Sequence, residues 1–282
     1  MPEDKNKSIY KLNGFPTIYY NNLDDDTSRK QYMEDQFEYW GITNYHRTSG
    51  YDGRKSDLSE ILVGKYPEQM NSRDVGSATS HLKTIKTWLE NSDETEKTIV
   101  VMEDDCDLST VKYWPFVWKD FISKLPPDWD IVQLAVINPI SVHLKIHRTY
   151  VCDYSSACYM IKRHYAKKLV DIYCRKDKYK LDWNIKPRCC SEHIKYQGGK
   201  SLTMPLFLYN ENYPSSIHSP EHIQTFHMSS HDSLWNFWKT KATDVDWNDL
   251  FTFDPVNHQG VPPEAMKNQE QINLEMAPQP EE

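Results

Sequence analysis

The segment 98–108, TIVVMEDDCDL, constrains this chain more than any other. Thr98, Ile99, Val100, Val101 and Met102 carry no charge, and three of them are β-branched aliphatics. That composition predicts a short strand buried on both faces, bounded upstream by the polar run 91–97. Glu103, Asp104, Asp105 and Asp107 follow at once. Carboxylates packed this closely repel one another, and a strand end has no helix dipole to relieve them. A divalent cation would, and carboxylate and water ligands suit Mg²⁺ or Mn²⁺. In open α/β sheets ligands bind at the carboxyl ends of strands, where these acids fall. The competing reading is an acidic surface turn. An EF-hand loop is excluded, because Thr110 and Phe116 stand where its Gly and Glu are required.

At 282 residues the chain is long enough for one large domain with a real core. Aromatic residues make up 13% of it, with 18 Tyr and 9 Trp. Such side chains suit sugar or base stacking as well as an ordinary core. A net charge of -8 argues against a general nucleic-acid binder. The polar start MPEDKNKS has no apolar signal region, and no apolar run reaches the roughly 20 residues of a membrane span. The expectation is a soluble, cytoplasmic protein with reduced cysteines. Cys189 and Cys190 beside His193 suggest zinc, but adjacent cysteines do not easily supply two ligands to one tetrahedral site.

In chain order, a polar leader (1–14) precedes a first strand at Thr17-Ile18-Tyr19-Tyr20. Asp24 to Ser28 offer N-caps for a helix to about Trp40, whose Met33, Gln36, Phe37 and Trp40 form an inward stripe stopped by Gly41. Tyr45-His46-Arg47-Thr48 predicts a second strand, and Tyr51-Asp52-Gly53 a turn. Residues 55–75 show little beyond a short helix near 58–63. Gly76-Ser77-Ala78-Thr79-Ser80-His81 then leads a helix bearing Leu82, Ile85, Trp88 and Leu89 on one face. Small residues there suit either a ligand-binding helix start or close packing on the sheet. Beyond the acids, an aromatic helix at 111–125 is broken by Pro115. Strands follow at 129–134, 157–161 and 202–209, with helices at 163–173 and around 234–238. His218, His222, His227 and His231 cluster before that last helix, and residues 254–282 have the composition of a flexible Pro/Gln/Glu-rich tail. Residues 15–253 thus predict one α/β domain, a mainly parallel sheet flanked by helices.

In this order the pieces resemble glycosyltransferase family 25, which includes lipooligosaccharide and collagen galactosyltransferases. The resemblance rests on Ile18-Tyr19-Tyr20-Asn21-Asn22-Leu23 with Arg29, on Gly41-Ile42 and on Asp52-Gly53. It continues through Gly76-Ser77-Ala78-Thr79-Ser80-His81-Leu82-Lys83, with Ser77 where the family has Cys, and through Glu103-Asp104-Asp105. Ser156-Ala157-Cys158-Tyr159-Met160-Ile161, Ala166 to Leu169, and Asp182-Trp183 complete it. The order holds from about 16 to 220, although no single piece is specific. The 218–231 region departs from the collagen enzymes, and only one such domain is present.

The resemblance implies a GT-A-like, Rossmann-type domain that uses Mn²⁺ (or Mg²⁺) and a UDP-sugar donor and inverts the anomeric carbon. It implies a metal held by Glu103 and Asp105, with Asp107 either a ligand or an acid supporting one, and His218 or His227 as a late ligand. Asn22, Arg29, Asp52, Gly76, Ser80, His81 and Asp104 are then expected at the nucleotide or diphosphate. Asp182 becomes the base that deprotonates the acceptor hydroxyl of a glycan or glycoprotein. For Asp182 a helix cap or a hydrogen bond to the acceptor sugar is the competing role; for Arg29 and His81 it is a structural ion pair or capping bond. The expected activity is hexosyl transfer, galactose or glucose first. Two rivals remain. Asp105-Cys106-Asp107-Leu108-Ser109 is similar to the motif of aspartate-nucleophile phosphatases, with Asp105 as nucleophile. A non-catalytic saccharide- or partner-binding member of the family is the other.

Overall fold

The computed structural model describes residues 6–54, 58–66, 70–138, 142–150, 153–181, 190–196, 198–210, 212–213, 221 and 223–254. The apolar run before the acids is strand β3 (Thr98–Glu103), with residues 99–102 fully buried. Beside it runs β1 (Ile18–Asn22), and beside β1 the edge strand β2 (Tyr45–Ser49), all parallel. On the other side of β3 lie β7 (Cys158–Lys162), β5 (Ile131–Ala135) and β10 (Ser201–Tyr209) in that order. β4 (Cys106–Asp107) and β6 (His147–Arg148) both pair with β10.

The sheet is mixed, which corrects the expectation of a mainly parallel one. β7 runs antiparallel to both β3 and β5, and β4 and β6 run antiparallel to β10. Parallel neighbours need a crossover, usually a helix. The described residues between β5 and β7 contain no helix, so the chain returns in the opposite direction.

Alternation along β1 and β3 sends Ile18, Tyr20, Val100 and Met102 to one face and Tyr19, Ile99 and Val101 to the other. The first face is covered by α1 (Thr27–Tyr39), through Met33 and Phe37, and by α3 (Trp118–Lys124), through Trp118 and Phe121. α6 (Met228–Thr240) adds Trp238. The second face carries α2 (Ser72–Asn91), α4 (Arg163–Tyr173) and α5 (Cys190–Tyr196), with Leu82, Ile85, Trp88, Leu169 and Ile194 packed inward. A small hairpin of β8 (Cys174–Arg175) and β9 (Lys178–Tyr179) follows α4.

Asp26 caps α1 by accepting from the Arg29 amide, and Gly41 leaves that helix at φ +65°. Two expectations are corrected locally. α2 begins at Ser72 rather than Gly76, because Asn71 and Asp74 close a reciprocal capping box ahead of the apolar stripe. The helix expected at 111–125 with a break at Pro115 is divided there, but its first part is a 3-10 turn, Ser109–Tyr113, and only the second, α3, is an α-helix. Trp114, ahead of Pro115, is extended (φ -61°, ψ 131°), as a residue preceding proline must be. Part of the supposed leader is structured: Ile9–Leu12 form a helical turn, and Leu12 is buried in the first core. No helix among the described residues is long and apolar enough to cross a membrane.

Candidate functional site

The carboxyl ends of β1 and β3 lie side by side, with Asn21 opposite Glu103. This register brings Asn22 to the acids that follow β3. The Asn22 amide donates to Asp104 Oδ2 at 2.8 Å and to the Asp26 carbonyl at 3.0 Å, while its oxygen accepts from Arg47 Nε at 2.8 Å. Arg29, presented by the first turn of α1, donates from Nη1 to Asp104 Oδ1 at 2.8 Å and to Asp105 Oδ2 at 3.5 Å. Its Nη2 reaches the Tyr213 carbonyl at 3.1 Å. Both oxygens of Asp104 are therefore held within the protein, and Asp104 anchors Arg29 beside the acids.

Glu103 is held from below. His81 Nε2 lies 2.7 Å from Glu103 Oε1, and His81 Nδ1 lies 3.2 Å from the Tyr159 hydroxyl. Burial, reinforced by the nearby Lys195 cation, holds the His81 imidazole well below its usual range, so it is neutral. A neutral ring between these partners donates from Nε2 to the carboxylate and accepts the Tyr159 proton at Nδ1. The Glu103 side chain keeps 26% of its surface, opening outward from an otherwise enclosed position. Desolvation pushes its carboxyl up to about 7, with Lys195 opposing and Glu192 and Asp104 adding to the rise. Asp105 is pushed up to about 8 by burial and then by Glu103, against the pull of Arg29. One of its oxygens, Oδ1, is buried with no hydrogen-bond partner among the described residues. A buried carboxylate oxygen left without a donor is costly, so this atom calls for a cation or a proton.

The remaining expected residues divide into groups. Asp107 Oδ1 accepts from the Ser109 amide at 2.6 Å, and its charge bears on the Tyr32 phenol. Gly76 sits inside α2, where an added Cβ would lie 2.7 Å from the Tyr51 carbonyl and 3.0 Å from the Gly53 nitrogen. The close approach it permits is that of the chain's own loop. Ser80 Oγ donates to the Gly76 carbonyl at 2.7 Å and accepts from the Tyr51 amide at 2.8 Å, pinning the same loop. Asp52 at its tip receives Arg54 on both oxygens, at 2.8 and 2.9 Å. Arg54 in turn feels the charges of Asp26 and Arg29. His227 is buried against the Tyr209 ring, 5.5 Å between centroids, and Tyr209 pairs with Cys106. Asp182 and His218 lie outside the described residues.

Among the described residues, no three His, Cys, Asp or Glu side chains converge as a ready-made metal site. Sequence reasoning missed Tyr159 as the partner of His81, and missed Lys195 and Glu192 on α5. Tyr159 stands in an alternating strand that signals burial but not a role. The α5 residues lie in a stretch without legible periodicity. Neither a scan against models of protein families nor a search of the curated proteins finds a match for this chain.

Proposed function

We propose that this chain is a metal-dependent glycosyltransferase that moves a hexose from a UDP-sugar to a hydroxyl acceptor on a glycan or glycoprotein. The observation that carries the reading is the buried Oδ1 of Asp105, without a hydrogen-bond partner among the described residues, beside Glu103 at the carboxyl end of β3. Glu103 and Asp105 are the residues that would hold the ion; Asp104 is committed to Arg29 and Asn22. Hard carboxylate oxygens fit Mn²⁺ or Mg²⁺. When bound, such an ion neutralises the charge that gathers on a departing diphosphate.

The chain's own residues supply the rest. Arg29 is a guanidinium fixed beside the acids by Asp26, Asp104 and the Tyr213 carbonyl, a positive charge that would favour an anionic diphosphate nearby. Neutral His81 orients Glu103 without adding a charge that would repel a cation. Asp182 remains the proposed base, on the sequence resemblance alone. The position of the Asp105 motif after residue 100, directly behind two further acids, Glu103 and Asp104, weighs against the phosphatase alternative.

The test is release of UDP from UDP-galactose and UDP-glucose, with Mn²⁺ and with chelator, in wild type, Asp105→Asn and Asp182→Asn. The expected result is Mn²⁺-dependent release that Asp105→Asn abolishes. Asp182→Asn should lower transfer by roughly 10²–10⁴ with UDP affinity kept. No release from any UDP-sugar, with or without Mn²⁺, would overturn the proposal.

A further inference from the structure

Of the six residues that follow Cys190 on α5, Lys195 is the one whose burial demands an explanation. Its side chain is 1% exposed, which is rare for an ammonium group. Nζ donates to Ser156 Oγ at 2.6 Å. It also stands 4.8 Å from the centroid of the Tyr159 ring and 5.9 Å from that of Tyr196, within range of a cation–π contact. The Tyr159 hydroxyl bonds His81, and His81 bonds Glu103. A continuous chain of contacts thus runs from the ammonium to the carboxylate.

The turn that seats the ammonium is built at a cost. Ser155 adopts φ 102°, a region a residue with a side chain rarely enters. Four groups hold it there. Its amide donates to Glu192 Oε1 at 3.0 Å, its carbonyl accepts from Gln133 Nε2 at 3.0 Å and from the Tyr196 hydroxyl at 3.1 Å, and its Oγ accepts from the Ala157 amide at 3.1 Å. The same turn delivers the Ala157 carbonyl to the Glu103 amide at 2.9 Å. Strain kept in place by so many partners belongs to sites where geometry matters.

We infer that Lys195 is a positioning residue of the acidic site: seated on the strained Ser155–Ser156 turn, it fixes Glu103 through Tyr159 and His81. The inference rests on the proposed metal-dependent transfer for its functional meaning, but not for its geometry. Lys195 touches no substrate in this scheme. It holds in place the ring that orients the metal-side carboxylate, as outer partners do for metal ligands elsewhere.

Two measurements test it. The first uses the metal-free protein. A His81 Nε2 proton bonded to a carboxylate should appear in the NMR spectrum as a protected downfield signal, assigned by its loss in Glu103→Ala. It should vanish in Lys195→Met and persist in Lys195→Arg, with the amide spectrum otherwise retained. Persistence in a folded Lys195→Met overturns the inference. Should Lys195→Met not fold, Ser156→Ala removes an oxygen that seats the ammonium, and an unmoved signal there overturns it equally. The second is Mn²⁺ titration by calorimetry. Loss of a nearby cation would by charge alone tighten Mn²⁺ binding, whereas loss of a positioning group should raise Kd by about 10–100-fold. An unchanged or lower Kd in Lys195→Met counts against Lys195. A wild-type protein that binds no Mn²⁺ counts instead against the metal reading, and the NMR result then decides Lys195 by itself.

Discussion

The acids at the end of β3 should make this protein less stable as pH rises, and Asp105→Asn should remove much of that dependence. The Asp105 carboxyl is raised from 3.8 to about 8 and that of Glu103 from 4.5 to about 7. In both cases the folded state binds the proton more tightly than the unfolded chain. Stability is therefore fully present below about pH 4 and is lost as pH climbs through the folded values towards 8. Each tenfold gain in proton affinity on folding corresponds to about 1.4 kcal/mol. The Asp105 shift alone corresponds to a loss on the order of 6 kcal/mol; the two acids raise one another, so their effects do not sum, and that is the scale for the pair. For a chain of this length that is a fall in Tm of roughly 10 °C. The assay is a set of thermal melts from pH 5 to 8.5 without divalent metal. Asp105→Asn mimics the protonated acid, so its Tm should fall several degrees less than that of wild type across the window. Adding Mn²⁺ at pH 8 should raise the wild-type Tm and leave the variant unmoved. Parallel pH profiles for the two proteins, with no response to Mn²⁺, would refute the reasoning.

Other outcomes follow from the same contacts. Arg29→Met removes the cation shared by Asp26, Asp104 and Asp105 and should cost about 3–5 kcal/mol in urea unfolding, more at pH 8 than at pH 5. Gly76→Ala drives a methyl to within 2.7 Å of the Tyr51 carbonyl; displacement of that loop should cost about 1–3 kcal/mol, read in the same assay. His147 is fully buried, with Nδ1 on the Lys145 carbonyl at 2.7 Å and Nε2 on Asp153 Oδ2 at 3.0 Å. His147→Ala removes one donor from the buried Asp153 carboxylate, which keeps the Tyr150 amide and Asn138 Nδ2, and should cost about 1–3 kcal/mol, more than a surface histidine would.

Much of the fold was legible because local chemistry dictated it. Residues 99–102 have no polar atom in their side chains to leave exposed except the Met102 sulfur, and they form the buried strand they predict. The stripe of α1, its Asp26 cap and its Gly41 stop are likewise written in neighbouring residues. The start of α2 was missed because a capping box lies outside the apolar periodicity that announces a helix. The antiparallel insertion of β7 between β3 and β5 could not be read from its own residues, since an apolar strand buried on both faces looks the same in either direction.

The acidic cluster itself was written in four closely spaced positions, but the fate of each acid was not. Asp104 and Asp105 are chemically identical neighbours in the chain. Successive side chains leave the end of a strand in different directions, so one finds Asn22 and Arg29, whereas an oxygen of the other is buried with no partner among the described residues. His81 and Lys195 join Glu103 from separate helices on the far face of the sheet. Sequence by itself determined which segments are apolar, where charge concentrates and where helices start on strong caps, because these depend on neighbours a few residues away. Tertiary structure alone decided which acid is compensated and which keeps a buried oxygen without a partner among the described residues, because that depends on groups as many as 184 positions apart, such as Arg29 and Tyr213, meeting at one strand end.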